Sequence, residues 1–486
     1  MKSAYEAIIG LEVHVQLQTR SKMFCACPNR TGAEPNSLTC PVCLGLPGAL
    51  PVLNREAVRM ALLLGLALEA RIQPCSDFYR KQYFYPDLPK GYQITQGPVA
   101  LVEEGRLEMA GDPEVRGAEG PVSIRIERVH LEEDAGKSHH DFRPGCTHVD
   151  LNRAGAPLLE IVGSPELRSP QEASEYLKAL HRMVMALEIC DGNMEEGHFR
   201  CDANVSLRRV GESAFGTRVE VKNLNSFRFV RQALEFEMLR QAALLERGES
   251  FPQETRGWDA ATGETRSQRS KETAMDYRTF PEPDLPALCI SPQEIEGARA
   301  QLPELPEAKA CRWRQAFGLG AEEAQALLQS RAFTAYFEAL AAASAAPRAA
   351  AKWMLGEVSR TLNDRGIGIE ALPLAPERLA ELLRLVEVGT VGFGAAREQV
   401  YPQLLVGQEG PQALVERLGL AQVSDPVAIG QLVAQVLAAH PEPLAQHRSG
   451  TKNLTGYFVG QVMKAGGGRL EARLVQDLVT KTLANP

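Results

Sequence analysis

The chain of 486 residues is defined first by what it lacks. It has no apolar run of the length that spans a bilayer, about 18 residues, and its N-terminus shows no signal-peptide pattern. It therefore reads as a cytoplasmic protein with no membrane association. It also lacks an excess of basic residues. A net charge of −8 argues against a generally basic nucleic-acid coat, although a local basic groove stays open. Ten cysteines in so long a chain are too few for a disulfide scaffold. Hydrophobic and charged contents of 44% and 23% are ordinary globular values. The length exceeds one core, so roughly two to four domains are expected.

The most informative stretch is Gly10-Leu11-Glu12-Val13-His14-Val15-Gln16-Leu17. As a strand it puts Leu11, Val13, Val15 and Leu17 on one face and Glu12, His14 and Gln16 on the other. A carboxylate and an imidazole two positions apart on a rigid element can hold a metal or a proton. Four cysteines follow as two close pairs, Cys25/Cys27 and Cys40/Cys43. This spacing can place four thiolates tetrahedrally around zinc and leaves no open coordination position, so the site reads as structural. Residues 54–70 read as a helix. From Arg80 to Gln96 the chain is basic, aromatic and Pro-stiffened. Such a loop can stack on a base and contact phosphate, or it can be a surface loop whose tyrosines cap the core.

Residues 122–137 begin as a strand and run into Glu132-Glu133-Asp134. Three successive acids repel unless solvated or bound to a cation, and oxygen ligands of this type suit magnesium. The following Gly136-Lys137-Ser138 is not a P-loop, because Leu131 stands where its first glycine is required. Strands with an apolar face and a polar, charged face recur at His148–Arg153, Ala156–Val162, Arg200–Leu207 and Arg218–Asn223. They suggest an antiparallel sheet whose polar face lines a functional concavity. Two helices would cover the apolar face. One starts at the capping box Ser169-Pro-Gln-Glu172, the other near Asn225, ending at Gly248. Residues 255–284 read as a polar closing loop at the rim of the sheet. Beyond residue 296 strand patterns vanish and short Ala/Leu-rich helices are expected, with a locally basic end carrying Lys452, Lys464, Arg469, Arg473 and Lys481. That end fits either phosphate contacts to RNA or solvated charges on a terminal helix pair.

Together these residues carry a resemblance. Ile-Gly-Leu-Glu-Val-His at 9–14, Tyr-Phe-Tyr-Pro-Asp at 83–87, Tyr-Gln-Ile at 92–94 and His-Leu-Glu-Glu-Asp-Ala-Gly-Lys at 130–137 lead it. Val-Asp-Leu-Asn-Arg at 149–153, Arg-Cys-Asp-Ala-Asn at 200–204, Lys-Asn-Leu-Asn-Ser at 222–226 and Phe-Pro-Glu-Pro-Asp at 280–284 follow in order. Over essentially its whole length the chain resembles the B-subunit family of the aspartyl/glutamyl-tRNA(Asn/Gln) amidotransferases. The resemblance implies an α+β fold: a cradle at 1–295, an all-α helical domain at 296–405 and an all-α, tRNA-binding, YqeY-like tail at 406–486. It implies ATP- and magnesium-dependent phosphorylation of the side-chain carboxylate on Glu-tRNA(Gln) or Asp-tRNA(Asn). Amidation follows, with ammonia from an amidase-type glutaminase, the A component of a heterotrimer that a small C component completes. The matching aminoacyl-tRNA synthetase is a further candidate partner.

By position, Glu12, His14, Glu132 and Glu133 would be catalytic, with Glu12, His14, Glu132 and Glu160 holding magnesium. Charge adds Lys81, Lys137, Arg153 and Lys222 as candidates for phosphate or substrate carboxylate, with Asp202 and Asn204 beside them. Not every member of the family carries the four cysteines, so zinc at Cys25, Cys27, Cys40 and Cys43 would be dispensable to the chemistry. The tail departs from the family at 466–473, Gly-Gly-Gly-Arg-Leu-Glu-Ala-Arg, where a Lys-Ala-Asn-Pro-like run is more typical. No amidase Ser-Ser-Lys pattern and no glutaminase-like cysteine is present, which disfavours a free-standing ligase. A non-catalytic tRNA-binding adaptor is the alternative, and it leaves the carboxylates without a purpose.

Overall fold

The alternation at residues 10–17 builds the centre of the molecule. In the computed structural model, strand β1 (Tyr5–Gln16) buries Ile9, Leu11, Val13 and Val15 completely, while Glu12, His14 and Gln16 stay half-buried on the other face. The structure describes residues 4–117, 120–139, 145–270, 277–421, 426–448, 454–466, 470 and 472–484. These form two units, Met1–Lys309 and Ala310–Pro486.

The first unit is organised on one large sheet. Its further strands are β2 (Arg71–Ile72), β3 (Phe78–Gln82), β4 (Tyr92–Gln96), β5 (Val102–Ala110), β6 (Pro121–Glu133) and β7 (Pro157–Gly163). They continue with β8 (Phe199–Arg209), β9 (Val219–Leu224), β10 (Glu254–Asp259), β11 (Glu264–Ser270) and β12 (Phe280–Pro281). The order is β11-β10-β9-β8-β1-β7-β6-β4-β3-β12, with β5 also on β6 and β2 on β5. All pairs are antiparallel except β9–β10, so the sheet is mixed rather than purely antiparallel. Strands β11 and β12 stand at opposite edges, yet Phe280 follows Ser270 by only ten positions. Ten residues reach at most about 35 Å, whereas nine strand spacings in a flat sheet cover about 43 Å. The sheet must therefore curve.

Three helices cover its apolar face: α1 (Arg55–Ala67), α2 (Pro170–Ala186) and α3 (Phe227–Glu246). Leu64, Tyr176, Leu177, Val230 and Leu234 from these helices share one core with Ile9, Val13, Leu131, Ile161 and Val205 from the sheet. Each helix start is capped by a polar side chain: Asn54 accepts from Glu56 N–H, Ser169 from Glu172 N–H and Ser226 from Phe229 N–H.

Several expectations change here. The capping box at Ser169 is half made. Its hydroxyl accepts as expected, but the Glu172 carboxylate is fully buried and turns to the Arg116 guanidinium at 2.6 and 2.8 Å and to Arg168 N–H. A cation offers a buried carboxylate more than one further backbone N–H does. Residues 255–284 are not simply a closing loop, since β10, β11 and β12 lie within them. Half-solvated edge strands carry charged residues and so lack an alternating apolar signal. Residues 271–276 of this segment lie outside the described residues. His148–Asp150 is extended but pairs only with Lys137–His139, off the main sheet. The basic aromatic stretch starts and ends as β3 and β4, leaving residues 83–91 as the loop. Cys75 and Cys289, directly opposite in a short antiparallel ladder, form a disulfide that sequence spacing did not suggest.

In the second unit one core surrounds Trp313, Phe337, Trp353 and Leu383, and a smaller one surrounds Ile429, Val433, Phe458 and Val475. All elements there are helical among the described residues. No helix of the described residues is long and apolar enough to cross a membrane.

Candidate functional site

Antiparallel register brings the polar rows of adjacent strands together. On the sheet, His14 of β1 pairs with Glu160 of β7 and with Arg200 of β8, and Glu12 pairs with Asp202. Glu160 pairs with His130 of β6, two residues before Glu132. Side chains at these positions share the face that the helices leave open. At its centre His14 Nε2 lies 3.8 Å from Glu12, 3.6 Å from Glu132 and 3.7 Å from Glu160 carboxylate oxygens. Ligand atoms of Glu12, His14 and Glu160 all fall within 4.8 Å of one another, close enough for one cation.

The electrostatics of this cluster are strained by proximity. Burial, then the charge of Glu160, raises the Glu12 carboxyl. Burial and the same neighbour raise Glu132 to about 7. Burial works against charge on Glu160 as well, but the hydrogen bond and charge of His14 outweigh it and hold Glu160 down to about 2. Burial opposes protonation of His14 too, yet its bond to Glu160 and the charges of Glu132 and Glu160 carry it up to about 9. Three carboxylates and one imidazole thus compete for too little positive charge, the condition under which a divalent cation binds.

Glu133 is not brought to this group. It follows Val129 and Leu131 on the opposite face of β6, where it contacts the Lys90 ammonium and accepts from Ile94 N–H at 3.0 Å. Asp134 is also buried and is held by Arg200 at 2.9 Å and Arg153 at 3.5 Å. The three successive acids are therefore neither solvated nor gathered on one ion: pleating sends each to its own partner.

The remaining candidates spread along the open face. Lys222 of β9 bonds Asp202 at 2.6 Å and Glu220 at 3.3 Å. Burial alone would depress Lys222, but these carboxylates lift it to about 12. Asn204 lines a cleft of about 340 Å³ beside Glu12, together with Gly10, Arg128, Ser206, Phe215 and Arg218. At the other end of β1 a cavity of about 100 Å³ is lined by Gln16, Lys137, Arg153, Asn152 and His198. Two of the Arg153 N–H groups serve the carbonyls of Ala135 and Gly136, so this guanidinium shapes the turn as well as the cavity. The Lys81 ammonium lies 4.9 Å from the centre of the Tyr277 ring. Phe84 and Tyr85 are exposed at the tip of the loop between β3 and β4. Arg80 is drawn away to Glu282, at 2.7 and 2.8 Å.

Sequence reasoning passed over His130. It faces Glu160 across β6–β7, its Nε2 is buried without a hydrogen-bond partner, and burial lowers its pKa. Its place next to Glu132 in an alternating strand was the available signal. Lys464, Arg473 and Lys481 fall on helices Thr455–Ala465 and Ala472–Ala484, while Lys452 and Arg469 lie outside the described residues.

The four cysteines of the loop after β1 converge, with all sulfurs within 4.8 Å of one another. Four thiols and no carboxylate form a soft donor set that fits zinc. The Cys25 hydrogen bond to Cys43 holds the Cys43 thiol down to about 4, against burial.

Comparison with known proteins adds an independent observation. Residues 7–296 match the family described as the GatB/GatE catalytic domain, and residues 335–483 the family described as the GatB domain. The chain is similar to the B subunit of the aspartyl/glutamyl-tRNA(Asn/Gln) amidotransferase of Geobacter sulfurreducens, 50% identical over 482 residues that cover 99% of each chain. Its similarity to the protein of that name from Anaeromyxobacter dehalogenans is 51% over 488 residues, again 99% of each. To that from Thermosynechococcus vestitus it is 48% over 487 residues, 99% of this chain and 97% of the relative.

Proposed function

The chain belongs to the family of aspartyl/glutamyl-tRNA(Asn/Gln) amidotransferase B subunits, and from that premise we propose that its open sheet face activates the side-chain carboxylate of a mischarged aminoacyl-tRNA. The substrate is Glu-tRNA(Gln), Asp-tRNA(Asn) or both. A carboxylate resists amidation because its oxygen is a poor leaving group. Attack of that oxygen on the γ-phosphorus of ATP, with ADP leaving, yields an acyl phosphate. Ammonia then adds to the acyl carbon and phosphate departs. The work of the protein is alignment and charge neutralisation.

The observation that carries this reading is the convergence of Glu12, Glu132 and Glu160 on His14. Glu12, Glu160 and Glu132 would hold magnesium, with His14 as the tethering imidazole; the ion, when bound, neutralises transferring phosphoryl oxygens. The cleft of about 340 Å³ beside Glu12 offers Arg128 and Arg218 to a nucleotide. The small cavity at Gln16, with Lys137 and Arg153, lies at the other end of the same row and suits the aminoacylated end of the tRNA. Lys81, Asp202, Asn204 and Lys222 orient the two substrates, and Glu133 fixes Lys90 beneath the face. The cysteine loop carries structural zinc. Residues 1–295 are the cradle, 296–405 a helical domain and 406–486 the tRNA-binding tail. Ammonia comes from a glutaminase, the A component of an assembly that a small C component completes.

The test is phosphate release from radiolabelled ATP by the assembled complex with magnesium and Glu-tRNA(Gln), glutamine omitted. Release that requires charged tRNA and falls at least about a hundredfold in Glu12→Gln supports the reading. Unchanged release in that variant moves the chemistry off this face.

A further inference from the structure

Lys22 is among the most deeply buried side chains of the molecule, 1% exposed, and it is a lysine. A buried ammonium is costly unless an anion and hydrogen-bond acceptors surround it. The acceptors are present: Lys22 Nζ donates to Leu38 O at 2.8 Å and reaches Leu151 O at 3.4 Å. The anion is not a carboxylate. Glu133 Oε2 lies near the Lys22 stem, across Gly155, but the ion pair of Glu133 is with Lys90, through Oε1, which also accepts from Ile94 N–H, and no carboxylate pairs with the Lys22 ammonium among the described contacts. The third contact of the ammonium is Cys43 Sγ, at 3.7 Å.

A divalent ion held by four thiolates keeps two surplus negative charges, and on the side of Cys43, the buried one of the four, there is little water to screen them. We propose that Lys22 is the positioning residue of this centre. Its ammonium neutralises part of that surplus through Cys43. Through Leu38 O and Leu151 O it also ties the cysteine loop to the turn that carries Asn152 and Arg153. The loop side of that tie is reinforced by Asn152, which accepts from Leu38 N–H at 2.8 Å and donates to Glu34 O at 2.7 Å. The centre thereby braces the wall of the small cavity at Gln16. The inference rests on the zinc reading above and adds the charge partner that reading lacks.

The experiment uses the full chain. Zinc content is measured by mass spectrometry, and zinc transfer to a chromogenic chelator is timed, in wild type, Lys22→Met and Lys22→Arg. Outer partners of metal ligands change metal retention by roughly ten- to a hundredfold. Lys22→Met, which keeps the stem and removes the charge, is expected to release zinc that much faster, and Lys22→Arg to stay near wild type. The opposite order, with Met retaining and the bulkier Arg releasing, or equal retention in both, overturns the inference and makes Lys22 a packing stem. Should Lys22→Met precipitate, Lys22→Gln is read in its place with the same expectations. A wild-type chain with no zinc overturns the zinc reading itself, which is a different result from zinc held equally by all variants.

Discussion

His14 has three carboxylates within 4 Å and no cation of the chain as close to it among the contacts described. Such a cluster gains from a divalent ion and suffers without one. Magnesium at a hundredfold excess over its Kd is expected to raise unfolding free energy by about 2.7 kcal/mol. Glu160→Gln should lose most of that increment, and its metal-free stability should fall as well, since the carboxylate that the hydrogen bond and charge of His14 hold ionised is gone. Thermal unfolding with and without magnesium reads both quantities; an increment preserved in Glu160→Gln would remove that residue from the cation site. A second residue-scale prediction concerns His181. Its ring packs edge-on against Phe199 and Phe227, its Nε2 bonds Gly192 O at 2.9 Å, and burial lowers its pKa. The unfolded chain therefore takes up that proton first as pH falls below about 6.5. Stability contributed by neutral His181 is complete above that pH and is lost as pH falls toward the folded value. The urea midpoint should drop more between pH 7 and pH 5 in wild type than in His181→Gln, and equal drops would show that His181 is not titrating.

The start of α2 illustrates how a local motif is diverted by tertiary context. Glu172 stands where a capping box needs it, yet its fully buried carboxylate is held by Arg116 of the one-turn helix Pro113–Arg116. Removing it strands a guanidinium and frees the Arg168 N–H. Glu172→Ala should cost about 3 kcal/mol in urea denaturation, because breaking a buried pair leaves one partner uncompensated. Ser226→Ala at the start of α3 should cost only about 1 kcal/mol, the ordinary value of a lost cap. Equal costs for the two would mean that the Arg116 pair adds nothing. The edge strands teach a related lesson. Trp258 and Thr265 are buried in β10 and β11, but Glu254, Arg256 and Arg266 around them mask the period in the sequence. Part of what holds them lies in ion pairs, Arg256 with Glu254 at 2.7 Å and with Glu237 of α3 at 3.5 Å, which no periodicity reports.

At the scale of the whole molecule, Met1–Lys309 and Ala310–Pro486 each bury their own apolar clusters. A fragment of residues 1–309 is expected to be soluble, to unfold cooperatively and to keep the magnesium-induced stabilisation of the full chain. Its affinity for charged tRNA should fall, since the basic helices that end the chain are gone. Filter binding at two salt concentrations measures this, and undiminished binding with an unchanged salt slope would place the tRNA contacts wholly within the first unit.

By itself the sequence determined many of the elements, though not the strands β10, β11 and β12. The alternation of β1 and β8, the helical stripes of α2 and α3 with Ser169 and Ser226 before them, and the loss of strand pattern beyond residue 296 are local, short-range signals. It also brought the four cysteines near one another, because a loop of that length keeps its two pairs close. Tertiary structure alone decided which rows became neighbours. Glu12 and His14 share a strand, but Glu132 and Glu160 meet them only through the register of β6, β7 and β1, where the β1–β7 pairs join residues more than a hundred positions apart. The pleat of β6 sent Glu133 to Lys90, and the folding of the cysteine loop left Lys22 buried against Cys43. Pairing energy depends on what stands opposite, and one strand carries no record of its partner.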